Sequence, residues 1–319
     1  MPLVPAAPPI RMAVAGGFGD VAVDAVRRRV YAAHTGSGIV LVVDADTRAV
    51  LAKIPAGAAT SVAVEPLSGH LFVGTADGIV SEIDPVAQRI VRSLSIGGPV
   101  AALAYDAERG RLYADARDAA RLWVVDTRTL TLVATVTLPG RTPASLAIDP
   151  QTHDVYQNVT GAAVIAVVDA QTPAVRARIA TPELETNSAL VYDPALGAIV
   201  AAGTNGVLGV YDRAGFKEAQ AAVPAGIDRC SLDAAEHIVA CASGGDVTLL
   251  HLTPREAPAL VETAAARPGV RGLAFDAKTH ALWTVSSDPE AGDLLLELTA
   301  APKPTAGGSD TAHNSGQSL

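Results

Sequence analysis

The chain has 319 residues, a formal net charge of -9 at pH 7, 49% hydrophobic residues and only 4% aromatic ones. The acidic balance repels nucleic-acid phosphates and anionic lipid, and no basic run offsets it; no apolar run reaches the roughly 18 residues of a spanning helix. A core so poor in rings has to be closed by Ala, Val, Leu and Ile, which suit closely stacked sheets, and the two cysteines, outside any CxxC spacing, give neither a disulfide framework nor a zinc site.

Residues 1–9, MPLVPAAPP, are proline-rich and read as an extended lead-in. Ile10 to Val14 alternates like a strand and ends in AGG, with no partner nearby in sequence. From Val21 onward one unit recurs. Its first segment ends in an acid, and these acids are Asp24, Glu65, Asp106, Asp149, Asp193, Asp233 and Asp276, spaced by 41, 41, 43, 44, 40 and 43 residues. Each acid precedes a short turn (AVRR, PLSG and PQTH among them) and a second strand: VYAA, LFVG, LYAD, VYQN, IVAA, IVAC or LWTV. A gap rich in Gly, Asp and Asn, a third strand, a turn and a fourth strand complete six of the units. A period of about 40 to 45 residues with four strands per unit is that of a propeller blade. The seventh unit stops after Leu298, before any fourth strand, and Ile10–Val14 matches the missing piece in pattern and ending. The sequence therefore predicts an all-β, seven-bladed β-propeller over residues 10–298, four antiparallel strands per blade, closed by the N-terminal strand completing the last blade. Residues 299–319 have the composition of a disordered tail.

The runs VYAAHTGSGIVLVVDADTRAVLAKIPAG, LYADARDAARLWVVDTRTLTLVATVTLPG and VYQNVTGAAVIAVVDAQTPAVRARIATP resemble the YVTN β-propeller repeat family, also called YncE-like. The WD40 pattern fits less well, because the third strands end in VVD, EID or VYD without a Trp-Asp pair. The resemblance implies the fold and carries over no catalytic residue, since the matching positions are structural. The family includes surface-layer and exported proteins. As written, the start shows no secretory signal, so a cytoplasmic location is expected, with the periplasm as the alternative for a trimmed mature form.

A repeat scaffold is built from residues that recur, so a site has to be sought among those that do not. The recurring acids read as holders of their own turns. His70, His153, His237 and His280 share one turn position in different blades, too far apart around a ring to ligate one metal. Propellers present ligands at the channel mouth. Just ahead of each first strand stand Asp20, Ser61, Ala102, Ser145, Ala189, Arg229 and Gly272, with Asp228 and Arg271 one residue earlier. Arg229, Arg271 and Asp20 come from neighbouring blades of a closed ring, and two guanidinium groups there could hold a carboxylate or phosphate by paired N–H bonds. The plainer alternative is that Asp20 and Asp228 pair with these arginines and tie blades together. His34 is the only histidine placed on the same face. The charged run Asp115 to Arg121 reads as a solvated loop, and Asn158-Val159-Thr160 matches a glycosylation sequon.

The sequence has no GxxxxGK[ST] phosphate loop, HExxH, GxSxG or dinucleotide-binding GxGxxG. The expected function is a non-catalytic, monomeric binding protein without cofactor or metal, holding a small polar or anionic ligand or a protein partner at Asp20, His34, Asp228, Arg229 and Arg271. Nucleic-acid binding and membrane insertion are not expected. The alternative is a lactonase-like hydrolase at the same mouth, with His34 or Asp20 as base and Arg229 or Arg271 stabilising the oxyanion. Cys230 and Cys241 face each other across the first hairpin of the sixth unit, either as thiols or, in an exported form, as a cross-strand disulfide.

Overall fold

The segment ahead of each recurring acid becomes the innermost strand of a sheet, and the next three strands follow it outward. In the computed structural model, which describes residues 3–12, 15–288, 290 and 292–300, these sheets form seven blades around a central channel. The protein is a seven-bladed β-propeller. Blades 1 to 6 span Phe18–Pro55, Ala59–Ser95, Val100–Thr137, Pro143–Ala180, Asn187–Ala222 and Ile227–Ala265. Blade 7 takes three strands from Val270–Ala300 and its outer edge from the start of the chain. Apolar clusters fill the spaces between blades; Tyr31, Ala33 and Val42 of blade 1, for example, pack with Ala59, Val62 and Val73 of blade 2.

Ring closure begins earlier in the chain than the sequence predicts. Leu3–Pro5, read as lead-in, pairs antiparallel with Leu298–Ala300, and Ile10–Arg11 pairs with Leu294 and Leu295. Between them Ala6 still donates its N–H to Glu297 O at 2.9 Å, and Ala7 to Pro9 step out of the ladder. Pro8 and Pro9 have no N–H to donate, so the edge cannot run unbroken. Ala13 and Val14, placed in the same strand by the sequence, lie outside the described residues, as does the predicted tail from residue 301; Thr299 and Ala300, counted with that tail, belong to the third strand of blade 7.

The recurring acid has two tasks. One oxygen holds its own turn: Asp193 Oδ1 accepts from the N–H groups of Ala195 and Leu196 at 3.0 and 3.1 Å. The other reaches the next blade. Asp193 Oδ2 accepts from His237 Nδ1 at 2.7 Å, Asp233 Oδ2 from His280 Nδ1 at 2.6 Å, and Asp106 Oδ2 from His153 Nδ1 at 2.9 Å. Arg28 closes the circle with Asp276 at 2.6 Å. These donors all sit four residues after their own blade's acid, where the backbone is left-handed (φ between 53° and 66°), and the remaining blades place Gly69, Gly110 and Gly197 there. Three of the histidines set apart as repeat features, His153, His237 and His280, are thus blade-to-blade clamps on the face opposite the channel mouth; His70, one residue further along its turn, instead bonds Glu82 of its own blade through Nδ1 at 2.7 Å. The bond to Asp233 raises the His280 pKa against the opposing effect of burial. A raised folded-state pKa gives stability that is complete below the unfolded value and is lost as pH rises through the folded one. Exchanging His280→Asn, which tolerates the left-handed backbone, should cost stability at pH 6 and less at pH 8.5. Thermal melts of both proteins across this range check it; the exposure of His280 keeps the effect small.

Candidate functional site

At the opposite rim, every innermost strand enters its blade through a register irregularity: at Phe18/Asp20, Ala59/Ser61, Val100/Leu103, Pro143/Leu146, Asn187/Ala189, Ile227/Arg229 and Val270/Gly272. A bulge re-aims the side chains beside it. Here it turns Asp20, Ala102, Ser145 and Arg229 toward the channel axis, where they line a narrow neck of about 90 Å³. The residues one step earlier line a wider mouth above it, about 460 Å³, with Gly19, Thr60, Ala101, Asp228, Arg229 and Arg271 in its wall. Arg229 borders both spaces. Hydroxyl groups fasten neighbouring blades around this rim: Ser145 Oγ donates to Ser188 O at 2.8 Å, Ser188 Oγ to Ile227 O at 2.6 Å, and Thr35 Oγ1 to Ala59 O at 2.6 Å.

Of the residues named from sequence, Asp228, Arg229 and Arg271 meet in the mouth, and Asp20 lies just below in the neck. Arg117, from the loop after the second strand of blade 3, joins them. Among the described residues, none of these three arginines makes an ion pair, so the pairing with Asp20 and Asp228 that the sequence allows does not form. Three guanidinium groups converge on one cavity in a protein of net charge -9. Part of the facing wall is backbone: Gly16 and Gly17 have φ of 141° and 84°, and a Cβ on Gly16 would come within 2.5 Å of Gly36 Cα.

His34 is elsewhere. It is fully buried, with its ring edge-on to Phe18 at 4.7 Å between centroids. Nδ1 accepts from Ser37 N–H at 3.0 Å, which leaves the proton on Nε2 to be donated to Asp293 Oδ2 at 2.9 Å. Asp293 also accepts from Gly17 N–H at 2.9 Å, and the bonds from Gly17, Ser287 and His34 outweigh the large effect of burial to hold its pKa below the usual range. His34 and Asp293 thereby anchor the glycine segment behind the mouth, and His34 cannot act as a base toward a bound ligand.

The neck holds acidity that the sequence places differently. Asp115, read as part of a solvated loop, lies on the second strand of blade 3 with no exposed surface. Its Oδ1 accepts from the Ala102 N–H freed by the bulge, at 2.6 Å, and Oδ2 stands 3.5 Å from Gln157 Nε2. Burial pushes its pKa up to about 7, opposed by the Ala102 bond, by the Arg229 charge and by Gln157. Asp20 is raised by burial as well, against the charge of Arg229 and bonds from backbone N–H groups. Strand alternation was the available signal for Asp115, since it follows buried Tyr113 by two positions; the charge of the DARDAAR run masked it. Asn158 is buried on the equivalent strand of blade 4, donating to Ala189 O at 2.9 Å, so the sequon is inaccessible in the folded protein.

Cys230 and Cys241 are opposed across the first hairpin of blade 6 and joined by a disulfide, with Cα atoms 4.1 Å apart. Cys230 lines the neck beside Arg229, whereas Cys241 is fully buried.

No protein-family description and no curated protein matches the chain. Its fold is shared with solved structures. Kuenenia stuttgartiensis hydrazine synthase aligns at TM-score 0.77 and 14% identity, covering 92% of this chain and 98% of that one. U3-55K aligns at TM-score 0.80 and 11% identity, again over 92% and 98%. At such identities the likeness is one of fold.

Proposed function

We propose that this chain is a non-catalytic binding protein of the YVTN propeller type, taking a small anionic ligand at the channel mouth. The observation that carries the reading is the meeting of Arg117, Arg229 and Arg271 in one cavity with no ion pair among the described residues. Three guanidinium groups that share a cavity and make no direct ion pair with Asp228 beside them or Asp20 below are held at an electrostatic cost that a bound carboxylate or phosphate relieves, and their planar forks match those anions. The mouth is of a size for a small molecule, and the rim hydroxyls are already bonded to neighbouring blades, which favours a preformed site over one assembled around a protein partner. The Cys230–Cys241 bridge supports an oxidising compartment such as the periplasm.

The test is a thermal-shift series with inorganic phosphate, citrate and a cationic control of equal ionic strength. The anions should raise the melting temperature in a saturable way and the control should not. Arg229→Ala combined with Arg271→Ala should weaken anion binding by about 10-fold or more. An unchanged affinity in the double variant would remove this cavity as the site.

A further inference from the structure

The disulfide opens on the space that the arginines guard. Cys230 lines the neck with Asp20, Ser145 and Arg229, and Arg229 also lines the mouth. At the position of Cys230 the other blades carry Val21, Val62, Leu103, Leu146, Leu190 and Leu273, and opposite them Ala32, Val73, Ala114, Gln157, Ala201 and Thr284. Six blades therefore form the same bulged hairpin without a bridge, so the bridge is not required to shape this element. It is instead the one reactive bond among the described residues of the neck. Its two sulfur atoms are unequal in exposure: both cysteines pack with the apolar cluster of Val239, Leu208 and Leu250, but Cys241 has no exposed surface, while Cys230 is only partly buried and borders the neck.

We infer that Cys230 is a thiol–disulfide exchange site selective for small anionic thiols, which the mouth arginines draw in. This rests on the anion-binding reading of the mouth. A carboxylate-bearing thiol would place its negative group among Arg117, Arg229 and Arg271 and its sulfur toward the neck. Its thiolate attacks Cys230 Sγ, a new S–S bond forms there, and the Cys230–Cys241 bond breaks. The electron pair leaves on Cys241 Sγ, which takes up a proton because a bare thiolate is costly in an apolar cluster. One disulfide replaces another, with no net oxidation. A second thiol attacking the mixed disulfide releases the oxidised small molecule and leaves both cysteines reduced, so the site couples the protein to the redox state of an anionic thiol pool.

The experiment follows the intact protein by mass spectrometry with 3-mercaptopropionate, 2-mercaptoethanol and cysteamine. Each rate is divided by that thiol's rate on a small neutral disulfide, which removes intrinsic nucleophilicity. The anionic thiol should react at least about 10-fold faster than the cationic one at low salt. Raising the salt to about 0.5 M should shrink the preference, peptide mapping should put the adduct on Cys230, and phosphate should slow the reaction. Arg271→Ala should reduce the preference for 3-mercaptopropionate over 2-mercaptoethanol. Equal normalised rates, an adduct on Cys241, or reaction only at the rate of global unfolding would overturn the inference. A phosphate-induced thermal shift without thiol selectivity sinks this inference alone; selectivity without any phosphate shift sinks the anion-binding reading of the mouth and leaves only charge steering.

Discussion

Deleting residues 1–12 should lower the melting temperature by roughly 10 °C and make the protein associate with itself. The deleted segment supplies the outer edge of blade 7 through two short pairings with the strand Gly292–Ala300. It also brings Leu3 against the cluster containing Leu282 and Leu298, and Ile10 and Met12 against that containing Trp283 and Leu295. Losing three partly buried aliphatic side chains costs about 3–5 kcal/mol. For a domain of this size each kcal/mol moves the midpoint by about 2–4 °C. The second consequence is one of edges. With the segment gone, the strand Gly292–Ala300 presents unpaired N–H and C=O groups next to Leu294 and Leu296, a ready surface for another chain. Melting curves and light scattering on the truncated protein measure both effects. A truncated form that melts within about 2 °C of the full chain and stays monomeric would show that the closing strand does not fasten the ring.

The second large effect concerns Asp115. An acid whose folded pKa lies near 7, above an ordinary value of 3.8, destabilises the fold progressively as pH rises from about 4 to about 7 and by a constant amount above that. The exchange Asp115→Asn keeps an acceptor for the Ala102 N–H and removes the charge. It should raise stability at pH 8 by about 1–3 kcal/mol and leave it little changed at pH 4. The same exchange should act on the mouth. Asp115 lies close enough to Arg229 for the two charges to interact, and an ionised Asp115 opposes an incoming anion. At pH 8 the variant should bind phosphate about 5-fold more tightly, a difference on the order of 1 kcal/mol. At pH 5, where the wild-type carboxyl is protonated, the two proteins should bind alike. Chemical denaturation and phosphate titration at both pH values test the two halves separately; a variant less stable than wild type at pH 8 would contradict the reading of Asp115 as a buried, costly acid.

The fold was legible because its signals recur. An acid holding a turn every 40 to 45 residues leaves a mark that survives any change in the strands between, and the missing fourth strand of the seventh unit pointed to the start of the chain for its partner. The opposition of Cys230 and Cys241 followed from counting across a regular hairpin. The extent of closure was less visible, because prolines at 8 and 9 look like the end of structure and are instead an interruption within one edge. The mouth was legible as a place: the bulge positions are those at which the repeat varies. Burial was not. Asp115 and His34 both stand among charged, polar or glycine-rich neighbours that suggest solvent, and both are enclosed by an adjoining blade or by the glycine segment, through contacts more than a dozen residues away in sequence.

Leu3 stands opposite Ala300, so the described chain begins and finishes at a single corner of the molecule. The strand Gly292–Ala300 starts beside the glycine segment at the mouth, where Asp293 binds Gly17, and runs away from it, so that corner belongs to the far rim. A force drawing the two ends apart would load the Leu3–Ala300 pairing first and open the edge one rung after another, as a zipper opens, rather than shearing all rungs together. Attachment to a bead, a surface or a fused protein through either end leaves the arginine-lined opening pointing outward, toward whatever diffuses past.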